Sequence, residues 1–296
     1  MNRGVLHGAA AYAMWGAFAL YWNLLRGVPT GQMMGHRIVW SCAVLAALVA
    51  SSGRLRALAA VPRRIVGLYA IAALLIAVNW TLYVWAVTSG HVVESSLGYF
   101  ITPLVNVMLG VVVLRERLRP LQWIAVGLAA AGVVSLTRVH GEPPWIALGL
   151  AASFGTYGLV KKRAPLMPLD GLFLETAVLV VPAAAYLLAA HLSGEGVFLG
   201  SDPATDVLLV GTGVLTVLPL LLFASAVQRV PLSIVGILQY IAPTIQFLLG
   251  LLVFHEAFSA AQFTGFACVW VALLLFGGDG LVARRRALPA LDEGAA

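Results

Sequence analysis

Apolar runs follow one another along the whole of this chain, each about 20 residues long and each closed by a charged or turn-forming break. A helix of about 20 residues rises roughly 30 Å, the thickness of a bilayer's hydrocarbon core. A strand of a membrane barrel needs about half that length and alternates apolar with polar residues, which these runs do not. The runs fall at approximately 5–25, 31–51, 65–88, 92–114 and 121–138, then 144–160, 169–191, 205–227, 232–254 and 260–281. The expected fold is an all-α polytopic membrane protein with ten transmembrane helices. Composition agrees, because only 10% of residues are charged against about 25% in a soluble domain.

The net charge of +6 does not point to nucleic acid, since cytoplasmic loops of membrane proteins collect Lys and Arg. All but three of the 18 Lys and Arg fall on one side of the ten spans, the exceptions being Arg26, Arg37 and Arg138. Both termini are therefore expected in the cytoplasm, with ten crossings of the membrane. The first apolar run has no small-residue cleavage site after it and reads as a spanning helix, not a signal peptide. Cys42 and Cys268 each sit inside an apolar span and read as small hydrophobes.

One stretch occurs twice. Ser95–Gln122 overlays Val235–Gln262 without a gap, matching Ile101 with Ile241, Pro103 with Pro243, Gly110 with Gly250 and Glu116 with Glu256. The match extends to Trp15-Gly16 against Phe154-Gly155, and to Leu82-Tyr83 against Leu222-Phe223. Each copy spans five crossings, an odd number, so the second enters the membrane from the opposite side. The expected organisation is a first five-helix repeat at 1–139, an inverted second at 144–281, and a basic cytoplasmic tail at 282–296. Inverted repeats suit secondary transport, because two similar bundles can exchange conformations and open one site alternately to each side.

Polar residues inside the spans are the candidate site. Arg37 lies about 9 Å into the second span at the helical rise. A charge at the bilayer centre costs roughly 2.5–3.5 kcal/mol on insertion scales. Three readings stay open for it: a substrate-facing group, an ion pair with Glu94, or a side chain snorkelling to the headgroups. His36 beside it could titrate near neutrality or be held by a backbone carbonyl. Glu175 occupies the place of His36 in the second copy, at the opposite depth, and suits a gate or polar lining. Tyr99, Phe100, Thr102 and Asn106 face Gln239, Tyr240, Thr244 and Gln246 across the duplicated spans. Trp15, Tyr21, Trp22, Asn79, Trp80, Tyr83 and Tyr157 add aromatic and amide surface. Pro103 and Pro243 are expected to kink their helices, each freeing a carbonyl. Glu116 and Glu256, at the ends of the duplicated spans, are expected to secure turns.

Several stretches together resemble the drug/metabolite transporter superfamily, and within it the RarD-type branch of the EamA family. They are Trp15–Trp22, His36–Ser41, Asn79-Trp80 with Trp85–Val87, Glu94–Leu104 and Glu116–Leu118 in the first half. The second half contributes Ser153–Leu159, Leu174–Thr176 and Leu238–Thr244. Thr102 stands where an asparagine is expected in that pattern. The resemblance covers nearly the whole chain and implies ten helices in two inverted units, an inner-membrane location and transport of small metabolites.

The expected function is thus a secondary transporter, an exporter of small metabolites or drug-like solutes with amino acids among the candidates, acting by alternating access. The expected substrate-binding set is Trp15, His36, Arg37, Asn79, Tyr83, Tyr99, Thr102, Asn106, Tyr157, Glu175, Gln239, Tyr240 and Gln246. Its partners are the solute and the lipid bilayer, with proton coupling and a homodimer left open. No nucleophile with its base, metal-ligand cluster, Walker loop or dinucleotide fingerprint occurs in the sequence. No enzyme, metal, cofactor or nucleic-acid role is expected. The alternative of another class is a non-transporting membrane receptor or assembly subunit.

Overall fold

The structure, a computed structural model, describes residues 3–89, 91–138, 144–200, 202–253, 255 and 260–287. Side chains are described at these positions except 87, 88, 92–94, 96, 135–138, 260–262, 266 and 280–287. Twelve helices and no strand occur among the described residues: α1 (Arg3–Leu24), α2 (Thr30–Ser51), a short α3 (Leu55–Ala59), α4 (Arg63–Thr88), α5 (Val92–Val112), α6 (Pro120–Arg138), α7 (Trp145–Arg163), α8 (Pro168–Leu192), α9 (Pro203–Arg229), α10 (Leu232–Gln239), α11 (Ile241–Leu252) and α12 (Ala260–Ala287). By length and composition five segments could cross a membrane: Thr30–Ser51, Arg63–Ala86, Pro168–Leu192, Pro203–Arg229 and Leu232–Leu252. Leu97–Val112, Pro120–Val134 and Phe263–Asp279 are apolar but shorter.

Local sequence explains where these helices begin. Pro168 and Pro203 stand in the first turns of α8 and α9, where a missing N–H costs nothing and the fixed φ suits a helix. Asp202 caps α9, its carboxylate accepting from the Thr205 amide at 2.9 Å and the Thr205 hydroxyl at 2.7 Å. Those bonds hold the Asp202 carboxyl below the usual carboxylate range. One boundary departs from expectation. The apolar run 232–254 is two helices, α10 and α11, separated at Tyr240. Pro243 therefore falls in the first turn of α11 and does not kink a continuous helix, whereas Pro103 lies inside α5.

The two halves interleave. The helix α1 packs on α9 and on α11, and α7 packs on α4 and on α5. Likewise α2 lies against both α8 and α9, α4 touches α8, α5 crosses α10, and α6 pairs with α12. Exchanging each helix for its counterpart in the other copy leaves this set of neighbours unchanged. The periphery stays apolar, with Leu74, Val181, Val207 and Leu274 all more than half exposed, a surface suited to lipid.

Small residues allow the closest approaches. A Cβ on Gly236 of α10 would meet the Pro103 carbonyl oxygen of α5 at 2.7 Å. Such contacts tie helices together where no hydrophobic driving force separates lipid tails from side chains. Gly236→Ala should lower the melting temperature in detergent by the equivalent of about 1–3 kcal/mol, the usual cost of overpacking. Gly67→Ala, on an open face of α4 with nothing within 4 Å, should leave it unchanged.

Candidate functional site

Polar side chains inside an apolar bundle need partners from the bundle itself. Hydroxyls on single helices meet that need locally: Thr102 donates to the Gly98 carbonyl at 2.6 Å and Thr244 to that of Tyr240 at 2.8 Å. The amides join helices instead. Asn106 Nδ2 on α5 donates to Gln239 Oε1 on α10 at 2.8 Å, with both residues buried. Nearby the Tyr240 hydroxyl donates to the Phe100 carbonyl at 3.1 Å, a contact between positions equivalent in the two copies. Asn106, Gln239 and Tyr240, expected to line a cavity, are thus spent on one another or on backbone at the α5–α10 crossing. Gln246 lies half-buried on α11.

A narrow cavity opens elsewhere, between α2, α4, α7, α8 and α9. Its walls include Ile38, Ser41, Trp80, Tyr157, Glu175, Thr176 and Thr216. Arg37, one residue before Ile38, touches two of these wall residues, Thr216 and Trp80. Its Nε donates to Thr216 Oγ1 at 3.1 Å and its Nη1 approaches Met34 Sδ at 3.4 Å. The guanidinium carbon lies 5.1 Å from the Trp22 ring centre and 4.7 Å from that of Trp80. Tyr83 and Tyr99 stand near, their rings packed edge to face at 6.0 Å. The side chain therefore turns into the bundle and does not reach outward to snorkel. Among the described residues no carboxylate forms an ion pair with it; the expected partner, the Glu94 side chain, lies outside the described set.

At the far edge of the cavity is a closed ion pair. Lys161 Nζ and Glu175 Oε1 are 2.7 Å apart, and each side chain is only 2% exposed. The Tyr157 hydroxyl donates to Glu175 Oε2 at 3.1 Å, while the Lys161 ammonium lies 5.5 Å from the Tyr69 ring centre. Sequence reasoning placed Lys161 with its neighbours Lys162 and Arg163 in a basic loop. The helix continues through Arg163, and the helical turn that carries Lys162 outward to the Val230 carbonyl points Lys161 inward. The signal was the acid at 175, which at that depth requires a cation.

The other expected residues divide between packing and a second pocket. Trp15 belongs to an aromatic cluster, 5.3 Å from Tyr12 and 5.7 Å from Phe223. Asn79 bridges α4 to α7 through the Leu150 carbonyl and the Ser153 hydroxyl, both at 2.9 Å. His36 is buried against Phe198, ring centres 5.0 Å apart, beside Gln32 and His191. Its Nδ1 has no hydrogen-bond partner among the described residues, so the expected backbone carbonyl is missing there. Gln32 fastens the segment after α8, donating to the Glu195 carbonyl at 2.6 Å and accepting from the Val197 amide at 2.8 Å. Glu116 secures more than its own turn: its carboxylate accepts from the Leu232 and Ser233 amides at 2.6 and 2.9 Å, capping α10. Glu256 lies outside the described residues.

Comparison with known proteins agrees with this architecture. The EamA-like transporter family matches twice, over residues 2–138 and 144–278. The chain is 47% identical to Protein RarD of Streptomyces exfoliatus over 99% of this chain and 93% of that one. It is 46% identical to the uncharacterized transporter YojE of Bacillus subtilis over 93% of each, and 41% identical to Protein RarD of Escherichia coli K12 over 96% and 97%. A crystal structure 20% identical in sequence superposes with a TM-score of 0.70 over 96% of this chain and 99% of its own, so the fold is shared.

The buried pair generates a stability prediction. Lys161→Met alone should cost about 3–5 kcal/mol by stranding Glu175, whereas Lys161→Met with Glu175→Leu should cost less than either single change. Thermal unfolding of the four proteins in one detergent measures the coupling.

Proposed function

This chain belongs to the EamA-like transporter family, and we propose that it is a secondary transporter that exports small metabolites or drug-like solutes, amino acids among them, by alternating access. The observation that carries the reading is the cavity lined by Ile38, Trp80, Tyr157, Glu175 and Thr216, built from helices of both halves of the chain. In this reading all ten long helical segments cross the bacterial inner membrane, both termini are cytoplasmic, and the second five-helix unit is inverted relative to the first.

Three further observations support it. The family matches each half separately. Helix neighbours are unchanged when the halves are exchanged, and Phe100 meets Tyr240 at equivalent positions. Two arrangements of such a bundle would be related by exchanging the roles of the halves, so one site could face either side without a second set of contacts. Relatives named only as transporters leave the solute open, and the residues facing the cavity define what it accepts.

Purified protein in liposomes should move at least one solute from a broad panel of amino acids, drugs and metabolites. Absence of flux across the panel would contradict the reading, and a stoichiometric partner recovered in mild detergent would then favour a receptor or assembly subunit. Arg37→Ala should insert in the membrane at normal levels and lose most of that flux. Normal flux would make Arg37 a structural residue.

A further inference from the structure

The helices α2 and α8 hold equivalent places in the two halves and run antiparallel, so each begins beside the end of the other. A Cβ on Gly35, early in α2, would meet Leu187, late in α8, at 2.9 Å. At both ends of this pair the third residue of one helix fastens the chain that follows the other. Gln32 of α2 donates to the Glu195 carbonyl at 2.6 Å and accepts from the Val197 amide at 2.8 Å, both beyond α8. Asp170 of α8 accepts from Arg54, beyond α2, at 2.6 Å. Ser41 of α2, with Glu175 and Thr176 of α8, lies on the cavity wall between these two clasps along the helix pair.

Each clasp lies close to polar atoms that lack partners. Gln32, His36 and Trp40 are spaced one helical turn apart on one face of α2. Phe198, one residue past the Gln32 bonds, packs on His36 at 5.0 Å and on Trp40 at 5.9 Å between ring centres. His36 Nδ1 and Trp40 Nε1, and Asp170 Oδ1 at the other end, are buried with no hydrogen-bond partner among the described residues. Such atoms gain water when the segment covering them withdraws. The backbone beside Phe198 is strained as well. Leu199 takes a φ of 61°, uncommon for a residue with a side chain, and its amide donates to Asp206 Oδ1 at 3.0 Å.

We propose that the two clasps are the gates of the cavity: Gln32 with residues 195–198 at the outer end, and Arg54 with Asp170 at the inner end. The inference rests on the transporter reading and its orientation, and deepens it by naming what closes each side. Each gate joins the first half of the chain to the second. Releasing one lets α2 and α8 part at that end while the other end stays fastened, so the cavity opens to one side. The two gates close by different chemistry. Gln32 spends both ends of a neutral amide on backbone. Arg54 and Asp170 form an ion pair whose side chains are 32% and 9% exposed, a contact that salt weakens.

The test uses the full-length protein with Cys42 and Cys268 replaced by alanine and Ser41→Cys as the reporter, in right-side-out and in inverted vesicles. The rate of labelling by a membrane-impermeant maleimide reads how often the cavity opens to each side. Gln32→Ala, and Gln32→Met with its larger side chain, should raise labelling from the outer face at least about threefold and lower it from the inner face, as loss of two hydrogen bonds predicts. Asp170→Asn and Arg54→Gln should each do the reverse, by at least about twofold. Arg54→Asp combined with Asp170→Arg should restore part of the original balance. A rise from both faces in these variants, a response on the same face to both gates, or no change in any of them would overturn the proposal. Flux separates the two levels. Face-specific labelling without flux of any solute in the panel would keep the gates and contradict transport. Flux with labelling unchanged in every variant would keep transport and remove the gates.

Discussion

A polar group left without a partner in an apolar bundle costs roughly 1–3 kcal/mol, and the crossing of α5 on α10 is organised by that cost. Asn106 Nδ2 donates to Gln239 Oε1 there, the Tyr240 hydroxyl donates to the Phe100 carbonyl, and Glu116 covers the first amides of α10. Gly236 makes the contact possible by bringing the α10 backbone against the Pro103 carbonyl. These bonds join the first half of the chain to the second. The halves therefore cannot separate as independent bodies without stranding several polar groups at once. Movement in the proposed cycle would have to occur around this crossing, by rocking of the helices outside it.

The cavity wall carries Glu175 and two neighbours of Arg37, and the two cations inside the bundle, Lys161 and Arg37, show two solutions to the same electrostatic problem. Lys161 and Glu175 cancel each other at 2.7 Å with a tyrosine on the remaining oxygen. That arrangement is closed: it offers no free charge and is costly to break. Arg37 is stabilised by ring faces and a hydroxyl. That arrangement contains no carboxylate among the described residues. The contrast between a satisfied pair and an aromatic-caged cation gives the cavity a polarity that length and hydropathy alone do not convey.

Much of this architecture was legible in the sequence, because a helix that must bury its backbone in lipid writes its length as an apolar run. Nine runs became continuous helices near their expected ends. The tenth broke at Tyr240, since nothing in its hydropathy marks a break that arises from packing against α5. The stretch that occurs twice in the sequence is where α5 crosses α10, but Asn106 bonds Gln239 there and Tyr240 bonds the Phe100 carbonyl. Side-chain pairing depends on rotation about each helix, which a one-residue error in phase reverses. Lys161 shows the same limit: between Lys162 and Arg163 it looks like a loop cation, and only the helical phase of α7 sends it to Glu175. Arg37 was legible as a charge out of place, whereas its enclosure by Trp22 and Trp80 required three helices to be positioned at once.

The central claim is that one cavity between the halves faces both sides of the membrane in turn. Thr176→Cys, on the cavity wall, in a chain whose Cys42 and Cys268 are replaced by alanine, reports this directly with a membrane-impermeant maleimide. Labelling from the outside of right-side-out vesicles and from the outside of inverted vesicles is the predicted result. Labelling from one side only, with the protein folded and inserted in both preparations, would contradict alternating access.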